Sequence, residues 1–315
     1  MHRIIYLYLV FIVSVVNLTF GQQGIISSEI VIQNDSITLP GTLIYNTTIA
    51  EQTLVIFVHG SGNVDRNGNQ ASMGANPNYI KQLSDSLTLK NITFYRFLKR
   101  SATASNIKFM MKDMRFDAFA EDLNLIIDKF KEDKRFSSIT LIGHSQGSLI
   151  AMLANQTHID KYISLAGPSQ SIDHSIIAQV KLQNGDSIAN IVKSHFVELS
   201  ETGGIENIDK NLMAMFNKPT QPLLSSWIKF NPSEEIKKIK IPILILNGDT
   251  DLQVYIDDVE LLHSANPKSK LVIIKNMNHV LKTIIKDSDN LPSYRTSSFA
   301  LSKELVSTIE AFVKK

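Results

Sequence analysis

The side chains of this 315-residue chain that could do chemistry stand just after runs of apolar and β-branched residues. His59-Gly60-Ser61-Gly62 follows "TLVIFV", and Ser145 follows "ITLIG" inside Gly143-His144-Ser145-Gln146-Gly147. Asp249 and Asp251 follow "ILILNG", and His279 ends the run "LVIIKNMNH". In chain order these supply a hydroxyl, a carboxylate and an imidazole. A serine hydroxyl is a weak nucleophile at neutral pH. Attack on a carbonyl therefore needs an imidazole to take its proton and a carboxylate to hold the imidazole tautomer. The chain has no cysteine, so thiolate nucleophiles and thiolate metal sites are excluded and a covalent nucleophile must be a hydroxyl.

Such a group must be held by elements that bring distant stretches together. A strand running straight into a helix needs a tight turn, and the glycines flanking Ser145 relieve its crowding, which lifts the serine off the end of the sheet. "TLVIFVHG" is almost continuously apolar and reads as a strand buried on both faces. Ahead of it, "SEIVIQND" and "TLPGTLIYN" read as a hairpin turning at Asn34-Asp35. A helix is expected over 77–89 and a strand from Ile92. Phe116, Phe119, Ala120, Leu123, Ile127 and Phe130 recur at helical spacing, which predicts an amphipathic helix over 116–134. Strands beginning near Lys161, Ile241 and Lys270 and helices over 256–264 and 301–313 continue the alternation. This pattern predicts an α/β fold with a mostly parallel central sheet and helices on both faces. In such a sheet, ligands bind beyond the carboxyl ends of the strands, where all the residues collected above would lie.

One segment departs from the alternation. Between Pro168 and Lys240 the sequence offers only helical patches, over 172–180, 187–199 and 208–216, and a proline-punctuated stretch with the single tryptophan, Trp227. It reads as a helical cap inserted at about 168–240. At the other end, His2 and Arg3 precede an apolar run from Ile4 to Val16 that fades into Gly21-Gln22. Residues 1–21 read as a secretory signal peptide, placing the mature chain, 22–315, outside the cell or in a periplasm without stable membrane insertion. An uncleaved membrane anchor is the competing reading. Basic and acidic residues are nearly balanced, at 32 and 30, with no basic run that would track a phosphate backbone, so nucleic acid is not expected as a partner. His158, His174, His195 and His263 lack metal-ligand spacing and read as surface or cap residues. Asp65 to Asn69 lacks the closing glutamate of a calcium loop and reads as a polar turn. No metal or organic cofactor is expected.

With these motifs in place, the sequence resembles the α/β-hydrolase family over nearly all of the chain after the leader. "HGSG" matches the family's oxyanion-hole loop, "GHSQGS" its nucleophile elbow, "GDTD" its acid turn and "MNH" its histidine loop. "HGSGNVDRNG" is similar to the HGSGPxDRDG segment of a branch of bacterial serine esterases. The resemblance implies Ser145 as nucleophile, His279 as general base and then acid, and Asp251 as orienting acid. Asp251 is preferred to Asp249 because the family places its acid three residues after the strand-ending glycine, here Gly248. It also implies an oxyanion hole from the backbone N–H groups of Ser61 and Gln146, and a structural role for His144. The chain departs from the family at Asn63, where the branch has proline. It departs again at Leu98 to Ser105, where both glycines of a DKRGxGxS loop are missing.

The function expected is hydrolysis of a small-molecule carboxylic ester through an acyl-enzyme. A thioesterase or an aminopeptidase-like peptidase would use the same triad. Glu198, Glu201 and Glu206 in the insertion would serve either as recognition for a substrate amine or as a solvated face. A non-catalytic binding protein on a hydrolase fold is the alternative of another class.

Overall fold

Along β3 (Gln52–Val58) successive side chains alternate between two buried layers. Leu54, Ile56 and Val58 join one core and Val55 and Phe57 the other. That double burial explains the unbroken apolar run, because a strand covered on both faces has no solvent side to mark with polar residues. The structure is a computed structural model that describes residues 24–112 and 114–315. The expected signal peptide, residues 1–21, lies outside the described residues.

The sheet has eight strands in the order β1-β2-β4-β3-β5-β6-β7-β8. The hairpin of β1 (Ile25–Asn34) and β2 (Ile37–Asn46) is antiparallel and turns at Asp35, whose φ is +50°. β2 also runs antiparallel to β4 (Thr93–Phe97). From β4 onward every pairing is parallel, through β3, β5 (Phe136–His144), β6 (Lys161–Leu165), β7 (Ile243–Gly248) and β8 (Lys270–Ile274). The strand order reverses between β3 and β5, since β4 lies on one side and β6 to β8 on the other. The crevice beyond that reversal receives the ends of β3 and β5, and so both His59-Gly60-Ser61 and Ser145.

Helices α1 (Tyr79–Thr88) and α8 (Lys303–Val313) cover one face through Ile80, Leu83, Leu87, Leu305 and Ile309. The other face carries α2 (Ala118–Phe130), α3 (Gln146–Leu153) and α7 (Ile256–Ala265). The predicted helix over 116–134 is shorter at both ends: it starts at Ala118 after the N-cap position Asp117 and ends at Phe130, with Lys131 as C-cap.

Between β6 and β7 the described chain forms no strand. α4 (Ile172–Asn184) and α5 (Asp186–Thr202) make a helical hairpin at Gly185, and α6 (Gln221–Trp227) completes a separate cluster around Val192, Phe196, Leu199 and Phe216. The stretch 208–216, expected as one helix, is a 3₁₀ turn at Lys210–Leu212 followed by a single turn at Met213–Phe216. His195 is also not a surface residue: it is buried, edge-on to Phe216 at 5.2 Å, and its Nε2 accepts the Asp209 N–H at 3.1 Å. The segment is rooted on the sheet by Trp227, which stacks on Phe116 at 4.6 Å and 7° between planes.

Candidate active site

Ser145 sits at φ +54°, ψ −124°, between β5 and α3. A side chain rarely holds a positive φ, and the surroundings enforce it here. A Cβ on Gly147 would stand 2.0 Å from the Val58 carbonyl oxygen, and one on Gly143 2.4 Å from that of Gly147. Only glycine fits at either position, so α3 presses against the end of β3 and the serine is pushed out at the turn. On the opposite side, a Cβ on Gly60 would come within 3.1 Å of the Ser145 Cβ.

The Asp251 and His279 loops meet because Gly248 lets them: a Cβ there would lie 1.8 Å from the Met277 carbonyl oxygen. His279 Nδ1 and Asp251 Oδ2 are 2.8 Å apart, and both residues are buried. The other carboxylate oxygen accepts the N–H groups of Gln253 at 2.7 Å and Val254 at 3.0 Å. Burial works against the Asp251 charge, but the His279 ring and these N–H groups outweigh it and hold the carboxyl below its ordinary range. An ionised Asp251 accepts the Nδ1 proton, which leaves Nε2 as the free base. Asp249 takes a different part: its Oδ1 accepts the Asn276 N–H at 2.6 Å and ties the acid loop to the end of β8.

His144 joins the serine turn to the histidine loop. Its ring lies 4.7 Å from that of His279, and its Nε2–H donates to the His279 carbonyl at 2.9 Å. Burial first, and then the neighbouring His279, push His144 down to about 3, so it acts as a neutral strut.

Ser61, Ser145 and Gln146 line one cavity of about 410 Å³, walled by α4 and floored by Trp227. Its lining is mostly apolar, with Leu149, Ile172, Ile176 and Val254 among the contributors. Among the described residues along it Asp258 is the only charged one, and one of its carboxylate oxygens already accepts from the Ser169 N–H and hydroxyl, at 3.0 and 2.7 Å. Glu198, Glu201 and Glu206 do not line the cavity. Among the described residues no group of three or more His, Cys, Asp or Glu could hold a metal, and no helix is long and apolar enough to cross a membrane. Asp65 is the hub of a polar turn, its Oδ1 accepting from the Asn67 and Asn69 N–H groups.

Sequence reasoning missed the loop after β4. Lys99 and Arg100 look like a solvated pair, yet both are buried. Arg100 makes a bidentate bond to Asp122 on α2, at 2.7 and 2.8 Å. Lys99 reaches under the Ser61 loop, with Nζ 2.7 Å from the Gly60 carbonyl and 2.6 Å from the Gln146 side-chain oxygen. The available signal was the position of this pair at a strand end, on the side of the sheet where the other site residues lie.

The chain is similar in sequence and in fold to known proteins. The curated Esterase EstD of Thermotoga maritima is 23% identical over 255 residues, 77% of this chain, and the chain spans 58% of that relative's length. Among solved structures, Est1E from Butyrivibrio proteoclasticus superposes with a TM-score of 0.56 at 18% identity, covering 91% of this chain and 97% of its own. The Pyrococcus furiosus esterase Pf2001 gives 0.58 at 18% identity, covering 96% and 97%. These likenesses establish the α/β-hydrolase fold expected from the sequence. Residues 44–265 match the BD-FAE family, well over half of the chain, and the chain belongs to that family.

Proposed function

We propose that this chain is a serine hydrolase that cleaves carboxylic esters with a neutral, largely apolar acyl group. The observation that carries the reading is a serine held at positive φ on a strand-to-helix turn at the wall of an apolar cavity, next in the chain to His144, whose ring lies 4.7 Å from the His279 ring of a buried Asp251–His279 pair. Ser145 Oγ attacks the ester carbonyl carbon while His279 Nε2 takes the hydroxyl proton. Asp251 holds the ring and stabilises the imidazolium. The carbonyl π pair moves onto oxygen, where the N–H groups of Ser61 and Gln146 receive it. Collapse expels the alcohol, protonated by His279, and leaves an acyl-serine that water hydrolyses with His279 again as base.

The cavity favours esters over aminoacyl substrates. A free α-amine needs a counter-charge, and among the described lining residues that is the single carboxylate Asp258, with one oxygen already accepting from Ser169, while most of the lining offers apolar surface to a neutral acyl group. The glutamates of the helical segment lie elsewhere: Glu201 and Glu206 are exposed, and the half-buried Glu198 accepts the Glu206 N–H at 2.9 Å. One structure of Est1E has ferulic acid bound, and the Trp227 floor and the volume here suit an aryl acyl group of that kind. The same proposal includes residues 168–240 as a substrate-shaping cap, the esterase branch with the HGSG loop, and export directed by residues 1–21.

Turnover of p-nitrophenyl acetate and methyl ferulate tests it. S145A is expected to lose at least about 1000-fold in kcat while its circular dichroism is unchanged. Undiminished turnover by a folded S145A would falsify the reading.

A further inference from the structure

Lys99 is a buried amine with no carboxylate partner among the described residues. Its side chain is 2% exposed, and its Nζ has two oxygen partners, Gly60 O and Gln146 Oε1, with the Phe119 ring 5.4 Å away. The ionisable groups around it are His59 and His144, both neutral in the fold because burial pushes them down. An uncompensated buried ammonium is costly, and burial lowers Lys99 to about 7. A methionine or leucine would fill the same space at no such cost.

Its two anchors are the residues that frame the proposed oxyanion hole. The Gly60–Ser61 peptide is trans, so the Gly60 carbonyl and the Ser61 N–H point in opposite directions within one plane. Fixing the carbonyl from behind therefore aims the N–H in front. The same carbonyl lies 3.0 Å from His59 Nδ1, so two donors converge on it. A donor on the carbonyl also polarises the amide and strengthens its N–H as a donor. The second anchor, Gln146, starts α3 with its own N–H beside Ser145. Lys99 thus ties together Gly60 and Gln146, which chain connectivity leaves 86 residues apart.

We propose that Lys99 is a positioning residue that locks the Ser61 and Gln146 N–H groups into one oxyanion-binding unit. It touches no substrate and acts through the peptide it holds. The inference rests on the ester-hydrolase reading above.

The test is Lys99→Met, which keeps the length of the side chain and removes its donors. With p-nitrophenyl acetate, kcat is expected to fall about 10- to 100-fold, less than for complete loss of an oxyanion donor, while KM changes little. A phenyl trifluoromethyl ketone gives a second readout. The Ser145 oxygen adds to its carbonyl carbon, the π pair moves to oxygen and the hydroxyl proton passes to His279, so the adduct carries the oxyanion itself. Its affinity should weaken in parallel with kcat, whereas a general packing defect would move melting temperature and KM without tracking the ketone. Unchanged kcat and ketone affinity in folded K99M overturn the inference. Should K99M fail to fold, Gln146→Met decides: it keeps Lys99 but removes one anchor, and it must lower kcat and ketone affinity together or the inference is lost. A wild-type protein inactive on every ester overturns the underlying reading as well. An active wild type with an unaffected K99M sinks only the role of Lys99.

Discussion

Asp249 and Asp251 share one turn and differ in what each oxygen meets. Asp251 faces the His279 ring and accepts two backbone N–H groups, whereas Asp249 accepts one N–H from Asn276. D251N keeps the shape but offers an amide that favours the wrong imidazole tautomer, and kcat should fall about 10⁴-fold, the scale known for this change in serine proteases. D249N keeps an acceptor for Asn276 and should stay within about threefold of wild type. Steady-state kinetics on p-nitrophenyl acetate with both variants checks the assignment, and equal losses would contradict it. Legibility follows the same physics. The positions of Ser145, Asp251 and His279 just beyond the ends of β5, β7 and β8 were readable because apolar runs mark the strands, and strand ends on one side of a parallel sheet converge without knowledge of packing. The clamp by Lys99 was not, since its partners lie 39 and 47 residues away and a Lys-Arg pair ordinarily signals a solvated loop.

At the scale of elements, the parallel strands were legible because burial on both faces writes itself as an unbroken apolar run. The loop after β4 and the helical segment were not, because their conformations depend on partners outside them. In the loop, Ser101 and Thr103 stand where the DKRGxGxS pattern has glycine, and Arg100 ties the segment to α2. Arg100 Nε and Nη2 bind the two oxygens of Asp122, and Asn34 at the end of β1 donates to Oδ1 of the same carboxylate at 2.8 Å. One carboxylate on α2 therefore fixes the loop and the hairpin together, and with them the backbone that carries Lys99. Both charges are almost fully buried, so removing Arg100 leaves the Asp122 charge away from solvent with the Asn34 amide beside it and no counter-charge. R100A should destabilise the fold by about 3–5 kcal/mol, read as a lower urea midpoint. A shift within the error of the measurement would show that the pair is not a structural tie. In the helical segment, 208–216 has apolar residues at helical spacing, but its turns follow partners outside it: Phe216 packs edge-on to His195 and Phe196, and the His195 ring accepts the Asp209 N–H.

Across the whole molecule, burying neutral histidines beside the sheet couples stability to pH. His144, pushed down to about 3, and His59, also well below its ordinary value, are neutral in the fold and titrate normally when unfolded. As pH falls below about 6.5, the unfolded chain takes up these protons and the folded chain does not, so stability is lost from that point down toward pH 3. Asp251 has the same sign at lower pH: its carboxyl is held down in the fold, so its contribution is present above the ordinary aspartate range and disappears as pH falls through the folded value. The three effects add, and the protein should lose resistance to urea steadily between neutrality and pH 4. His144→Phe isolates one of them. The ring keeps its stacking against Phe57 and Tyr79 but no longer takes up a proton on unfolding. It also gives up the bond to the His279 carbonyl, so H144F should start with a lower midpoint at pH 7 and then decline less than wild type on acidification. Urea melts at pH 7, 5.5 and 4 decide the point: converging curves support a buried neutral His144, and parallel curves would mean that its proton uptake is unchanged by folding.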